Sequence, residues 1–481
     1  MKTVFKILKK VVLIGLGVYA ALFAVFFFDL DGKALFYGVE PFLCRHYDRM
    51  ERRVAEGVEA RKADARLKVL HRDGTPVSGA HIQASQTKHA FLHGANVFML
   101  DEMETPEKNL AYREDFARVF NLATLPFYWS DLEPRPGALR FTKDSEKVYR
   151  RPTPDLCLEY CREKDITPKL HCLNYDQWTP TWVDHNNVAE VKRLLEKRFA
   201  EIAARYAGQI HCMEVINETL LWYDEWKDQG RWSTQFFFED DLVEWSFQCA
   251  RKYFPQNELI INEATEQAWD VHAAGRSAYS AVISDSIRKG AVIDGIGLQY
   301  HLFYSKEREA EQACPLLSPK RLYGCMDHYW NRYHKPLQVT EVTIPAYSNS
   351  AEDEALQAEV LEKLFTIWFS HPAMEAAIYW NLVDGYAAFA PQGDMTAGEN
   401  YYHGGLIHFD MTHKPAYDMM NELFHHRFRT EADGQTDDRG CAAFRGFEGD
   451  YELTVEKNDH SAKTPFTLRR DGGEVEIRLE D

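Results

Sequence analysis

From residue 90 onward the chain alternates between short apolar stretches and longer amphipathic ones. The apolar stretches fall at 91–98, 122–129, 169–174, 212–218, 259–264, 295–301, 337–344 and 376–384. Their lengths suit strands rather than helices, and runs without a polar alternate suit strands buried on both faces. Between them, 188–206, 239–253, 273–289 and 351–370 carry apolar residues at helical spacing. Strand and helix alternating eight times predict an α/β fold, a (β/α)8 TIM barrel over residues 90–430.

Outside that span the pattern changes. Residues 65–72 and 80–88 alternate apolar with polar and flank D-G-T-P-V-S-G. That spacing predicts a β-hairpin over 65–89. Past residue 429 the composition turns to Asp, Gly, Arg and Thr, with short strands expected at 441–445, 451–456, 466–470 and 474–479. A segment of that size (431–481) cannot bury a core alone, so it is expected to pack beside the hairpin as a small β module. Residues 29–64 lead into the fold, with a charged helix over 51–66. At the start, Lys2, Lys6, Lys9 and Lys10 precede an uncharged apolar run, 11–28. This predicts a signal anchor, with residues 1–10 in the cytoplasm and the remainder exported; a cleaved signal peptide is the alternative.

The formal charge of −18 argues against a nucleic-acid partner, whose phosphates it would repel. Nine scattered cysteines imply no disulfide framework, although Cys314 and Cys325 flank one loop and are a possible pair. Cys157 and Cys161 lack the partners of a zinc site.

The chemistry gathers at the strand ends. In I-H-C-M-E-V-I-N-E-T-L (210–220) an apolar strand runs out on Asn217 and Glu218; in L-Q-V-T-E-V-T-I (337–344) another carries Glu341. Barrel active sites form where the strands end, so both carboxyls are expected at one mouth. Two carboxyls there suit glycoside hydrolysis: Glu218 as proton donor and later base, Glu341 as nucleophile. The other strand ends offer His171, Tyr175 and Asp176, then Asn262 and Glu263, Gln299 and His301, and Trp380 with Asp384. Of these, His171, Tyr175, Asp176, Asn217, Gln299, His301 and Trp380 are the expected substrate-binding set. Asn217 suits a sugar 2-hydroxyl, His301 a hydrogen bond to Glu341, and Trp380 stacking on a sugar ring. Two other readings stay open. His171, Asp176, Glu263, His301 and Glu341 could converge on a metal, as in an isomerase or phosphodiesterase barrel. Alternatively the barrel could bind glycans without cleaving them.

The order of these motifs resembles glycoside hydrolase family 10. F-N-L-A-T (120–124) and W-S-D-L-E-P-R-P-G (129–137) resemble its second-strand region, and H-C-L-N-Y-D-Q-W-T-P-T-W (171–182) its third. M-E-V-I-N-E (213–218) resembles the acid/base strand, G-I-G-L-Q-Y-H (295–301) the sixth, V-T-E-V (339–342) the nucleophile strand and K-P-A-Y (414–417) the final helix. The resemblance implies a barrel, retention of anomeric configuration, no metal or organic cofactor, and β-1,4-linked polysaccharide, xylan by default, as the substrate. It also implies carboxyls about 5–5.5 Å apart. The departures lie around the sugar. L-P-F-Y-W (125–129) stands where the family carries Glu-Asn and Lys, Tyr175-Asp176 replaces a Trp-His pair, and Phe389 stands near the place of a second tryptophan beside Trp380. A shared reaction centre with an altered grip on sugar is the expectation; the sequence alone leaves the sugar, its linkage and the oligomeric state open.

Overall fold

The computed structural model describes residues 35–221, 233–270 and 276–480, with scattered positions among the first 34. Residues 1–56 form one unit and 57–481 another. A helix spans Glu40–Glu59, its last residues past that division, after a short π-helical turn at Leu35–Val39. Of the apolar run 11–28, residues 13–19, 22, 23 and 25 are described, as helix, and among the described residues no helix is long and apolar enough to cross a membrane.

The second unit begins with strands β1 (Lys62–His71) and β2 (His81–His89). Eight parallel strands follow: β3 (Leu92–Asn96), β4 (Leu122–Pro126), β5 (Thr167–His171), β6 (Cys212–Asn217), β7 (Glu258–Glu263), β8 (Gly295–His301), β9 (Leu337–Thr343) and β10 (Met374–Tyr379). They pair in sequence order, and β10 closes the barrel on β3. Helices fill each crossover, and five of them begin where a side chain satisfies a first-turn amide. Thr105, Asn187, Ser277, Ser318 and Ser350 each accept from the amide three residues on. The helices Val188–Tyr206 and Ala351–Ser370 span the predicted residues.

Two β-bulges set which side chains face the barrel interior. On β6 the pairing with β7 slips between Glu214 and Ile216; on β9 the pairing with β8 slips by one at Thr340. An extra residue reverses the in–out alternation beyond it. Thr340 and Glu341 therefore both reach inward, as do Glu214 and Asn217.

Strands β11 (Glu431–Gln435), β12 (Cys441–Phe447), β13 (Gly449–Lys457), β14 (His460–Leu468) and β15 (Gly473–Leu479) complete the unit. The predicted hairpin does not form. β1 lies between β12 and β15 in one sheet, and β2 lies between β11 and β13 in the other. The alternation on both strands is real, but their apolar sides meet across a core instead of lying on one face. Ala65, Leu67 and Val69 share that core with Ile82, Ala84, Leu453 and Val455. The connection crosses from sheet to sheet, after a turn in which His71 and Thr75 bond. Cys314 and Cys325 are both free thiols, the second buried and bonded to Ala268 O.

At the base of the barrel His89 is buried, its Nδ1 accepting from Phe91 N at 2.9 Å. Burial, with Arg61 adding to it, pushes its imidazole down to about 3. The unfolded value is near the ordinary 6.5, so this stabilising contribution is complete above 6.5 and is lost as pH falls towards 3. Other buried groups titrate in the opposite sense, so the measurement is a difference. Between pH 7 and 4.5, His89→Gln should gain about 3 kcal/mol relative to the wild type in urea unfolding. A gap independent of pH would refute a neutral buried His89.

Candidate active site

The strand ends converge on a cavity of about 370 Å³. Glu218 follows β6 directly, in left-handed backbone with φ of 54°, its amide bonded to Asn262 O. Its Oε2 accepts from Tyr175 OH at 2.5 Å and its Oε1 from Gln299 Nε2 at 3.0 Å. The same Gln299 nitrogen donates to Glu341 Oε1 at 3.1 Å and approaches Asn217 Oδ1 at 3.2 Å. Two bonds from one nitrogen hold these carboxylate oxygens within about 6 Å of each other, less than the separation that admits a water between inverting carboxyls.

Asn262, on β7, organises the floor. Its Nδ2 donates to Glu341 Oε1 (3.0 Å) and Asn217 Oδ1 (2.8 Å), and its Oδ1 accepts from Thr340 (2.6 Å). A side chain at Gly297 would meet that oxygen at 2.5 Å, so glycine is required beside it. With its Oδ1 claimed by Asn262 and Gln299, Asn217 keeps its NH₂ for a ligand. His301 completes the shell of Glu341: Nε2 lies 3.2 Å from Oε2, and Nδ1 lies 2.9 Å from Thr343 Oγ1. The ring stacks on Phe303 at 4.5 Å.

Beneath them runs a buried ionic chain that sequence reasoning missed. Lys169 Nζ sits 2.6 Å from Glu214 Oε1, and His171 Nδ1 donates to Glu214 Oε2 at 2.5 Å. Burial opposes the Glu214 charge, but Lys169 and His171 together outweigh it and hold the carboxyl down to about 2. Burial likewise opposes charge on His171; Glu214, then Glu341, overcome it and raise the imidazole. His171 Nε2 meets Tyr128 OH at 3.1 Å, so the chain ends at the cavity wall. The signal was present: Lys169 and Glu214 are charges inside otherwise apolar strands. Glu214→Gln would leave Lys169 buried without a counter-charge, costing about 3–5 kcal/mol in denaturant unfolding. Lys169→Met added to it should restore part of that loss; no recovery would show that the pair does not couple.

Trp380, just past β10, packs edge-on against Phe98, His171 and His301 at 5.3–5.8 Å and lines the cavity. His171, Tyr175, Asn217, Gln299 and His301 line it too, with Glu218 and Glu341. Asp176 does not. It is buried away from the cavity, accepting from Thr234 N (3.0 Å) and Thr234 Oγ1 (2.6 Å), and burial pushes it up to about 6. Glu263 behaves similarly. Burial raises it to about 7, and it accepts from Thr219 N, Thr219 Oγ1 and Leu220 N, fixing the segment after Glu218. Asp384 bonds Gly405 N and pairs with Lys414.

The five residues that the alternative metal reading would bring together therefore do not converge. Among the described residues one group has ligand atoms close enough, His171, Glu214 and Glu341, within 4.8 Å of one another. The Lys169 ammonium already lies against it, a resident cation that a metal would have to face.

A family model described as "Glycosyl hydrolase family 10" matches residues 108–423. The anti-sigma-I factor RsgI6 of Acetivibrio thermocellus is 23% identical over 414 residues, covering 82% of this chain and 45% of that protein. Endo-1,4-beta-xylanase 2 of Arabidopsis thaliana is 22% identical over 427 residues, covering 87% and 35%. The chain spans about a third to a half of the length of such curated relatives. Among solved structures, native xylanase 10B from Thermotoga maritima superposes with a TM-score of 0.54 at 21% identity, over 70% of this chain and 96% of that one. This likeness is one of fold.

Proposed function

This chain belongs to glycosyl hydrolase family 10, and from that premise we propose that it cleaves a β-1,4-linked polysaccharide, xylan by default, by double displacement. The observation that carries the reading is Gln299, one amide nitrogen bonded to both carboxylates. The spacing it imposes suits a retaining reaction. Glu341 attacks the anomeric carbon while Glu218 gives its proton to the leaving oxygen. A glycosyl-enzyme ester forms on Glu341. Water then attacks the same carbon, Glu218 takes its proton, and Glu341 is released. The Asn217 NH₂ is placed for the 2-hydroxyl, where hydrogen bonds strengthen as the anomeric carbon becomes cationic. His301 and Asn262 hold Glu341 by separate oxygens, which fixes its angle of attack.

The test is hydrolysis of an aryl β-xylobioside by the full chain, with Glu341→Gln as control. Turnover by the wild type alone is expected. Inertness towards this and a broad panel of β-glycans would defeat the reading.

For location, the lysines before the uncharged run 11–28 support an exported enzyme held to the membrane. Recovery of the chain in the membrane fraction, and its release when residues 1–28 are deleted, would bear this out. A full-length chain found in the soluble cytoplasm would end it.

A further inference from the structure

The loop between β4 and the helix Pro154–Glu163 brings two arginines, Arg150 and Arg151, to the cavity wall. They are held differently. Arg151 is paired: its Nε donates to Asp131 Oδ2 at 2.7 Å and its Nη1 to Arg150 O at 3.0 Å. Its guanidinium lies over the Tyr128 ring at 4.0 Å and near Trp178 at 4.8 Å. Arg150 has no such partner. Among the described residues no carboxylate comes within ion-pair distance of it. Its Nη2 donates to Asn381 Oδ1 at 3.2 Å, and its Nε, buried, has no acceptor among the described residues. Only 6% of the residue is exposed. Its backbone is also left-handed, with φ of 62°, which a side chain of this size rarely adopts.

A guanidinium buried against a single neutral acceptor is unfavourable by itself. The carboxylate that shares the wall, Glu399, attracts the guanidinium from beyond ion-pair distance, while it accepts from Asn381 Nδ2 at 3.0 Å and Ala388 N at 3.4 Å. Asn381 thus stands between Glu399 and Arg150 and bonds both. The guanidinium of Arg150 lines the cavity with its charge under-matched, and an anionic oxygen there would meet that charge better than a hydroxyl. We propose that Arg150, backed by Arg151, receives an acid group on the glycan, the carboxylate of a uronic acid carried beside the bond to be cleaved. This rests on the glycosidase reading and narrows it: the preferred substrate is an acidic glycan rather than a plain xylan. The net charge of −18 slows the approach of such a substrate, so the preference is local to this wall.

The test uses three β-1,4-xylo-oligosaccharides of one backbone: one bearing glucuronic acid, its carboxyl-reduced counterpart, and one bearing a sulfate ester. For the wild type, kcat/KM on the uronate should exceed that on the reduced form by about tenfold to a hundredfold. Arg150→Gln should bring this ratio close to one. Arg150→Lys, which keeps the charge and loses the planar fork, should leave it intermediate. Equal rates on uronate and reduced forms by the wild type would overturn the proposal even if no variant folds. A sulfate ester outranking the uronate would overturn the uronic-acid assignment. Calorimetric binding of the same three sugars to Glu341→Gln separates this proposal from the glycosidase reading. Uronate binding that Arg150→Gln removes would support the site even if nothing is hydrolysed. Hydrolysis without preference would leave a glycosidase and remove the site.

Discussion

Glu341→Gln is expected to reduce kcat on an aryl β-xylobioside by at least about four orders of magnitude, about 5.4 kcal/mol or more of lost transition-state stabilisation. The amide cannot attack the anomeric carbon, so the first displacement has no nucleophile. The fold should survive, because the substitution is nearly isosteric. The amide oxygen can still accept from Asn262 and Gln299, which now bond Glu341 Oε1. The amide NH₂ would face His301 Nε2, now 3.2 Å from Oε2, and the ring can accept it by moving its proton to Nδ1. The Thr343 hydroxyl at Nδ1 accepts as readily as it donates. Thermal melting of the variant within a few degrees of the wild type, alongside lost turnover, is the combined result to look for. Substantial activity in the pure variant would remove Glu341 from the mechanism.

Glu218→Ala should separate substrates by leaving group. With a poor leaving group, such as the next sugar of a chain, kcat/KM falls by about 10²–10⁴ because no acid protonates the departing oxygen. With a nitrophenolate the first displacement needs no proton and should be far less affected. The second displacement still lacks its base, so the glycosyl-enzyme accumulates and the release of phenol shows a burst. Azide, which needs no base, should then restore turnover and give a β-configured glycosyl azide. An equal loss on both substrate types would show that Glu218 is not the acid. An α-configured product would show that the reaction does not retain configuration.

The barrel was legible because parallel strands buried on both faces must be apolar throughout, so each stands out against the amphipathic helices around it. The same argument exposed Glu218 and Glu341, acidic residues at the ends of apolar strands. It could not say which way each points. The bulges at Val215 and Thr340 reverse the alternation, and nothing in V-T-E-V or M-E-V-I-N-E announces them. Asp176 shows a second limit. A residue just past a strand can face the cavity or turn from it, and here Thr234, from a distant segment, decides. Arg150 and Arg151 lie in an irregular loop without periodicity, so only the folded chain brings them to the wall. In the β module, alternation correctly marked 65–72 and 80–88 as strands but carried no information about neighbours. β1 takes β15 as a parallel partner from the far side of the barrel sequence.

That last pairing bears on how the protein is made. β1 and β2 are synthesised before the barrel, and β11 to β15 after it. The first two strands therefore emerge with open edges and no mates, and wait through translation of the whole barrel. Their sheets form only when the last strands arrive, a late step between segments far apart in the chain. A ribosome that stops early would release a chain whose barrel sequence is complete and whose leading strands remain unpaired, a product quality control can tell from the finished one by its exposed edges.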